Sequence, residues 1–263
     1  MRTDIDDNAF YLPLGGGRYQ PTPHTAGPWT PDAQHFGPPS ALLVRELEGL
    51  DAGAPGLLAR VTVEILGPAP LTELSTRSWV ERPGRSVELL GAELHDGSRP
   101  VARAWAWRIG ESDTTAVATD DPVPPPPEDC APAEFPATWR RGGYLDAMEW
   151  RTISGSPAEP GPAWVWGRQR VALVAGEKPT SLQRLFAIAD TGNGASNFLD
   201  PAAWWFINSE LTVHLRRVPE GEWIAIDART RVGPSGVGTA ASTLSDVRGE
   251  LAHGAQALMV RTR

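Results

Sequence analysis

Arg60-Val-Thr-Val-Glu-Ile65 and Glu210-Leu-Thr-Val-His-Leu215 stand 150 positions apart in a chain of 263 residues. In each, apolar side chains alternate with polar ones. Val61, Val63 and Ile65 share one face, as do Leu211, Val213 and Leu215, the period-two pattern of a half-buried strand. The same offset, extended without a gap, sets Val87, Leu94, Asp96 and Ala102 on Val237, Leu244, Asp246 and Ala252. Val101 and Ile109 then meet Leu251 and Met259. Identity is low, but apolar periodicity and the turns at Asp96-Gly97 and Asp246-Val-Arg-Gly249 keep register throughout. The chain is therefore read as an internal repeat.

Each half runs from a helix into strands. Pro38-Pro39 suits a helix's first turn, Leu42, Leu43, Leu47 and Leu50 fall near helical spacing, and Gly49 and Gly53 end the pattern. In the second half Thr180 or Ser181 caps a helix carrying Leu182, Leu185, Phe186 and Ala189, ending near Gly192. Further strands are expected around Phe10–Leu14, Tyr144–Thr152 and Ala163–Val174. Strands, one buried helix, then about four antiparallel strands is the order of a sheet wrapped around a helix. The expected class is α+β, a double hot-dog: two tandem antiparallel sheets, each around a central helix. Gly110–Pro136 contains Pro122-Val-Pro-Pro-Pro-Pro127, which should be extended. The expected organisation is residues 1–110 and 137–263 as two hot-dog domains, with 111–136 a Pro-rich linker.

Composition excludes several partners. With 24 Lys+Arg against 32 Asp+Glu the net charge is −8, and no basic run offers a phosphate backbone a footprint. No apolar run approaches the roughly 20 residues of a membrane helix. The acidic start MRTDIDDNAF lacks a signal peptide's apolar core, so a cytoplasmic location is expected. A single cysteine, Cys130, rules out an internal disulfide and any multi-cysteine zinc site. His24, His95, His214 and His253 have no metal-ligand spacing, and Gly233-Pro-Ser-Gly-Val-Gly238 is neither a nucleophile elbow nor a dinucleotide fingerprint.

Gln34-His-Phe-Gly-Pro-Pro-Ser-Ala-Leu-Leu43 resembles the His-Gly-Gly-Pro-Pro-type helix start of double hot-dog thioesterase-like proteins. Leu211–Arg216, Gly221-Glu-Trp223, Gly236-Val-Gly238, Leu244, Asp246, Gly249 and Gln256-Ala-Leu258 resemble the C-terminal half of the bacterial acyl-CoA thioesterase II family. The likeness spans nearly the whole chain outside the linker and the first residues. It implies hydrolysis of acyl-CoA to free acid and CoA by a water that an Asp, a Thr or Ser and a Gln position. Asp190, at the end of Leu185-Phe-Ala-Ile-Ala-Asp190, matches the Asp, and Gln256 matches the Gln. Counting back from Glu222-Trp223 sets Ile207 at the hydroxyl position, where this sequence departs from the family, so Asn208 or Ser209 would have to take that role. The substrate would be acyl-CoA, with no metal and no cofactor implied.

The same residues have ordinary readings. Asp190 could be the solvated start of the Thr191-Gly-Asn-Gly194 turn, although a carboxylate in a helix's last turn opposes the macrodipole. Gln256 could be a buried amide satisfied by backbone groups; its repeat counterpart is Ala106, a methyl, as one live and one lapsed site would require. Gly37 would let a substrate carbonyl approach the helix N-terminus, or simply serve the turn. His35 could donate to substrate or cap that turn. The Trp pairs 105/107, 164/166 and 204/205 could line an acyl tunnel, though core packing explains them as well.

Two other readings compete with hydrolysis. A non-catalytic acyl-CoA or acyl-carrier binding protein is favoured by Ile207. A hydratase would need an Asp/His pair at the helix start, and Asp32 is the only carboxylate near His35 in sequence. Under the leading reading the acyl chain would lie between the two central helices. Open sheet edges predict a homodimer or larger homo-oligomer.

Overall fold

Prolines start the first long helix and a capping box starts the second. The structure, a computed structural model, describes residues 8–30, 32–51 and 56–263. Helix α1 is Gly37–Glu48, with Pro38 and Pro39 in the turn whose N–H groups have no intrahelical acceptor. A short α2 is Tyr144–Ala147 and α3 is Ser181–Ala189. Thr180 caps α3 by accepting the Gln183 N–H at 3.1 Å, while the Gln183 side chain accepts the Thr180 N–H at 3.3 Å. Asp190 is the C-cap of α3, and one further turn, α4, is Gly192–Ala195.

The strands in the first half are β1 (Ala9–Gly15), β2 (Arg18–Pro21), β3 (Gly56–Ile65), β4 (Leu74–Arg82), β5 (Val87–Asp96) and β6 (Arg99–Gly110). Those that follow are β7 (Ala131–Pro132), β8 (Met148–Ser154), β9 (Ala163–Gln169), β10 (Ala172–Val174), β11 (Trp204–Asn208), β12 (Glu210–Leu215), β13 (Ile224–Val232), β14 (Val237–Asp246) and β15 (Gly249–Thr262). Where two sheets were expected, these strands form one, ordered β10-β1-β2-β4-β5-β6-β3-β12-β15-β14-β13-β9-β8-β7, with β11 beside β15.

The join is β3 against β12, antiparallel, and it explains the continuity. Thr62 lies opposite Thr212 with their hydroxyls 3.1 Å apart. These are equivalent residues of the repeat, so an approximate two-fold axis passes between them. The hairpins obey the same symmetry: Leu94 pairs with Ala102 as Leu244 pairs with Ala252, and a bulge follows at each place. The sequence reading ran Ala163–Val174 as one strand. Instead β9 stays in the second half while β10 crosses over, pairing Ala172 and Val174 in parallel with Ala9 and Tyr11 of β1.

Helices α1 and α3 pack together beneath this sheet, burying Leu42, Leu43, Val44 and Leu47 with Leu185, Phe186 and Ile188. Full burial of seven such side chains contributes roughly 1.5–3 kcal/mol each before entropy is counted. The Pro-rich segment is bound down against the second half. Trp166 donates its indole N–H to the Pro125 carbonyl at 2.9 Å, Arg216 reaches Asp121 at 2.8 Å, and β7 pairs with β8. Most tryptophans are packing residues: Trp105 stands edge-on to Trp79, and Trp166 to Trp223. Trp204 and Trp205 are different and line a cleft. No helix among the described residues is long and apolar enough to cross a membrane.

Candidate active site

Where α3 ends, its C-cap carboxylate meets the start of α1 and the inner face of β11 and β15. Asp190 is 4% exposed, far from the solvated turn residue that its flanking glycines would allow. A cleft of about 390 Å³ opens onto it, walled by Trp29, Phe36, Ile65, Leu66 and the β11 residues Trp204–Asn208. Burial pushes the Asp190 carboxyl up to about 7, because desolvation penalises the charged form more than its hydrogen bonds from Asn208, Gln256 and the Phe36 amide favour it. A carboxyl poised near neutrality has the proton affinity suited to a general base.

Gln256 on β15 fixes that carboxyl. Its Nε2 donates to the Asp190 backbone carbonyl at 3.1 Å and to Oδ1 at 3.2 Å, and its Oε1 accepts the Asn193 N–H at 3.0 Å. The amide is thereby held in one orientation. Its counterpart Ala106 is buried in the first half, where Arg108 instead donates to the Leu50 and Asp51 carbonyls just past α1 and pairs with Glu88. The helix end that carries Asp190 in one half is plugged by an arginine in the other.

Strand alternation decides the third position. Asn208 Nδ2 donates to Asp190 Oδ1 at 2.7 Å, whereas Ile207 turns the other way and is 46% exposed. Ser209 does not reach the carboxyl; its hydroxyl donates to the Ala257 carbonyl at 3.4 Å on the exposed side. Of the two residues expected to stand in for the hydroxyl, Ser209 thus lies away from the carboxyl and Asn208, a carboxamide donor, reaches it. Neighbours in a strand face opposite sides, so Asn208 reaches the carboxyl where Ile207, the residue found by counting back from Trp223, does not.

His35 lies just before α1, with Nδ1 3.5 Å from Asp190 Oδ2. The same Nδ1 accepts the Gly37 N–H at 3.0 Å, so the ring caps the helix start and its proton sits on Nε2. Burial lowers its pKa to about 3 and keeps it neutral. The ring lies flat on Tyr144, centroids 3.8 Å apart, and the Tyr144 hydroxyl donates to the Ala187 carbonyl at 2.6 Å. Gly37 is occupied differently from the expectation. A Cβ there would fall 2.3 Å from the Ala187 carbonyl oxygen, so the carbonyl its missing side chain admits belongs to α3 rather than to a substrate.

The cleft runs along β11 at the helix ends, not between α1 and α3, whose facing sides are filled. Sequence reasoning missed Trp29, which stands edge-on to Trp139 at 4.8 Å and to Phe206 at 5.0 Å and forms a rigid wall. It also missed Arg263, whose guanidinium lies 3.6 Å over the Trp205 ring. Neither has a local motif. The run of aromatic residues Trp204-Trp205-Phe206 was the available signal.

Two family profiles match in order: an acyl-CoA thioesterase N-terminal domain over residues 25–109 and an acyl-CoA thioesterase C-terminal domain over residues 127–260. No curated protein matches the chain. A Thermobifida fusca protein provisionally designated thioesterase II has a similar structure, with a TM-score of 0.75 at 19% identity over 98% of each chain. A conserved Alicyclobacillus acidocaldarius protein of unknown function, with a hot-dog fold, gives 0.75 at 16% identity over 100% of each chain. An acyl-CoA thioesterase II from Mycobacterium marinum gives 0.68 at 14% identity over 99% of this chain and 98% of its own. These structural likenesses establish the hot-dog fold. With both halves matched in sequence as well, the chain belongs to the acyl-CoA thioesterase family.

Proposed function

We propose that this protein hydrolyses an acyl-CoA thioester, with Asp190 as general base for the attacking water and Asn208 and Gln256 as the residues that hold it in place. The observation that carries the reading is the buried Asp190 carboxyl at the inner end of an apolar cleft, with both fixed amides on one oxygen. Those donors engage Oδ1 and leave Oδ2 directed toward His35. A water bound at Oδ2 gives its proton to Asp190 as its oxygen bonds to the thioester carbon. The tetrahedral intermediate then expels the thiolate, and Asp190 returns the proton to sulfur. His35, neutral with its proton on Nε2, is the nearby donor for the developing oxyanion. The second-half domain supplies the base and both amides, and the first-half domain supplies the helix start that faces them.

Release of free thiol from short, medium and long acyl-CoAs tests this directly. No release from any of them, by folded protein, overturns it. The pH profile gives a second test. A base must be deprotonated, so kcat/KM should rise with pH through about 7 and then level. A flat profile between pH 5 and 9 would remove Asp190 from the role. Asn208→Ala deletes the first hydrogen bond that lowers the Asp190 pKa. The rising limb should move to higher pH and activity at pH 7 should fall about 10- to 100-fold. Ser209→Ala should stay within about twofold. Equal effects of the two substitutions would contradict the assignment of Asn208.

The binding-only reading loses one ground, since Asn208 rather than Ile207 faces Asp190. A hydratase gains one, because the Asp missing near His35 in sequence is supplied across the halves by Asp190, 3.5 Å away. It is the weaker reading, as His35 Nδ1 is engaged by Gly37. Loss of enoyl-CoA absorbance without thiol release would establish it. The protein is further read as a homo-oligomer that covers Ile207, Met259 and Val237, neighbours on adjacent strands and all exposed.

A further inference from the structure

The cleft has a second end. Strand β11 lines it from Asn208, beside Asp190, to Trp204, a span of ~13 Å at the ordinary rise of a strand. At that far end Arg263 is pinned by its N–H to the Ala203 carbonyl at 3.0 Å, and its guanidinium lies on the Trp205 ring. Among the described residues lining the cleft it is the one permanent cation, His35 being neutral. Arg108, Arg151 and Arg217 each bind another residue's carboxylate, whereas Arg263 pairs with no side-chain carboxylate among the described residues. Stacking uses the guanidinium face and leaves its N–H edge free, in the fork geometry that grips carboxylate or phosphate. A guanidinium held flat on an indole at the open end of an apolar cleft is preoriented for an anion that a ligand brings.

We propose that Arg263 is a specificity-determining residue that binds an anionic group of the substrate at the end of the cleft remote from Asp190. The proposal rests on the thioesterase reading and adds to it that the substrate carries a charge remote from the thioester. Two groups of thioester substrates have that chemistry. One is the phosphate at the far end of the pantetheine arm, and the other is the terminal carboxylate of a dicarboxylic acyl group.

The test compares the wild type with Arg263→Gln and Arg263→Lys on three thioesters: decanoyl-CoA, decanoyl-pantetheine without phosphate, and the pantetheine thioester of a dicarboxylic acid. One charge-assisted contact should raise KM about 10- to 100-fold in Arg263→Gln, with kcat within about twofold and partial rescue in Arg263→Lys. A penalty on decanoyl-CoA alone identifies the phosphate, and one on the dicarboxylic thioester identifies the acyl carboxylate. KM within twofold of wild type on both anionic substrates overturns the proposal. Should the wild type hydrolyse none, calorimetric Kd values for decanoyl-CoA decide it separately. Binding weakened at least tenfold in Arg263→Gln supports the anion site although the hydrolytic reading has failed, while unchanged or absent binding overturns both.

Discussion

Asp190→Asn should lower kcat by about 10²- to 10⁴-fold, the range that a positioned general base contributes, while making the protein more stable at pH 8. The two effects have one origin. Folding buries a carboxyl whose folded pKa, about 7, lies above its ordinary value of 3.8. Between those values the folded state holds a proton that the unfolded state has released, so wild-type stability falls as pH rises from about 4 to 7 and is level above. The full penalty is on the order of 4 kcal/mol. Asparagine keeps an acceptor for Asn208 and Gln256 without the charge. Thermal unfolding should therefore show little difference between variant and wild type at pH 4.5 and a higher Tm for the variant at pH 8. Retained activity would dismiss Asp190 as base. Equal Tm values at pH 8 would show that its carboxyl is not the desolvated group the geometry makes it.

Gly37→Ala should cost about 2–4 kcal/mol of stability, with a Tm lower by about 5–15 °C, and should impair turnover as well. The added Cβ meets the backbone oxygen of Ala187 at 2.3 Å, and a backbone oxygen inside a packed helix pair cannot rotate away. Helix α1 must back off from α3. The Phe36 amide and the His35 ring ride on that same turn, so both withdraw from Asp190. Gly49→Ala is the matched comparison, since at φ −73° its Cβ meets nothing closer than 3.4 Å. Similar Tm values for the two variants would contradict the close approach at Gly37.

Several parts of this structure were legible in the residues. The 150-residue offset paired Val61, Val63 and Ile65 with Leu211, Val213 and Leu215, and the same offset relates the hairpin registers that form. Asp190 and Gln256 were singled out chiefly by the family resemblance, beside two weaker local cues, a carboxylate at a helix C-terminus and a polar amide where the repeat has Ala106. Asn208 was ambiguous for a geometric reason: neighbours in a strand point to opposite faces, and nothing in Ile207-Asn208-Ser209 says which face is inner. The crossing of β10 was illegible because Ala172-Leu-Val174 reads as a continuation of β9. The contacts of Trp29 and Arg263 were invisible for want of any local pattern, since each meets its partners only after distant segments converge.

That crossing sets an order on how the molecule comes to be. The first half's sheet ends in β1 on one side and β3 on the other, and each is completed by a strand made much later, β10 and β12. While the ribosome is still producing the second half, the first presents two bare rows of backbone donors and acceptors, the template on which chains aggregate. Loop closure over such separations is slow as well as costly. A nascent chain must wait with its edges open, and dependence on chaperones should concentrate in that interval rather than after release.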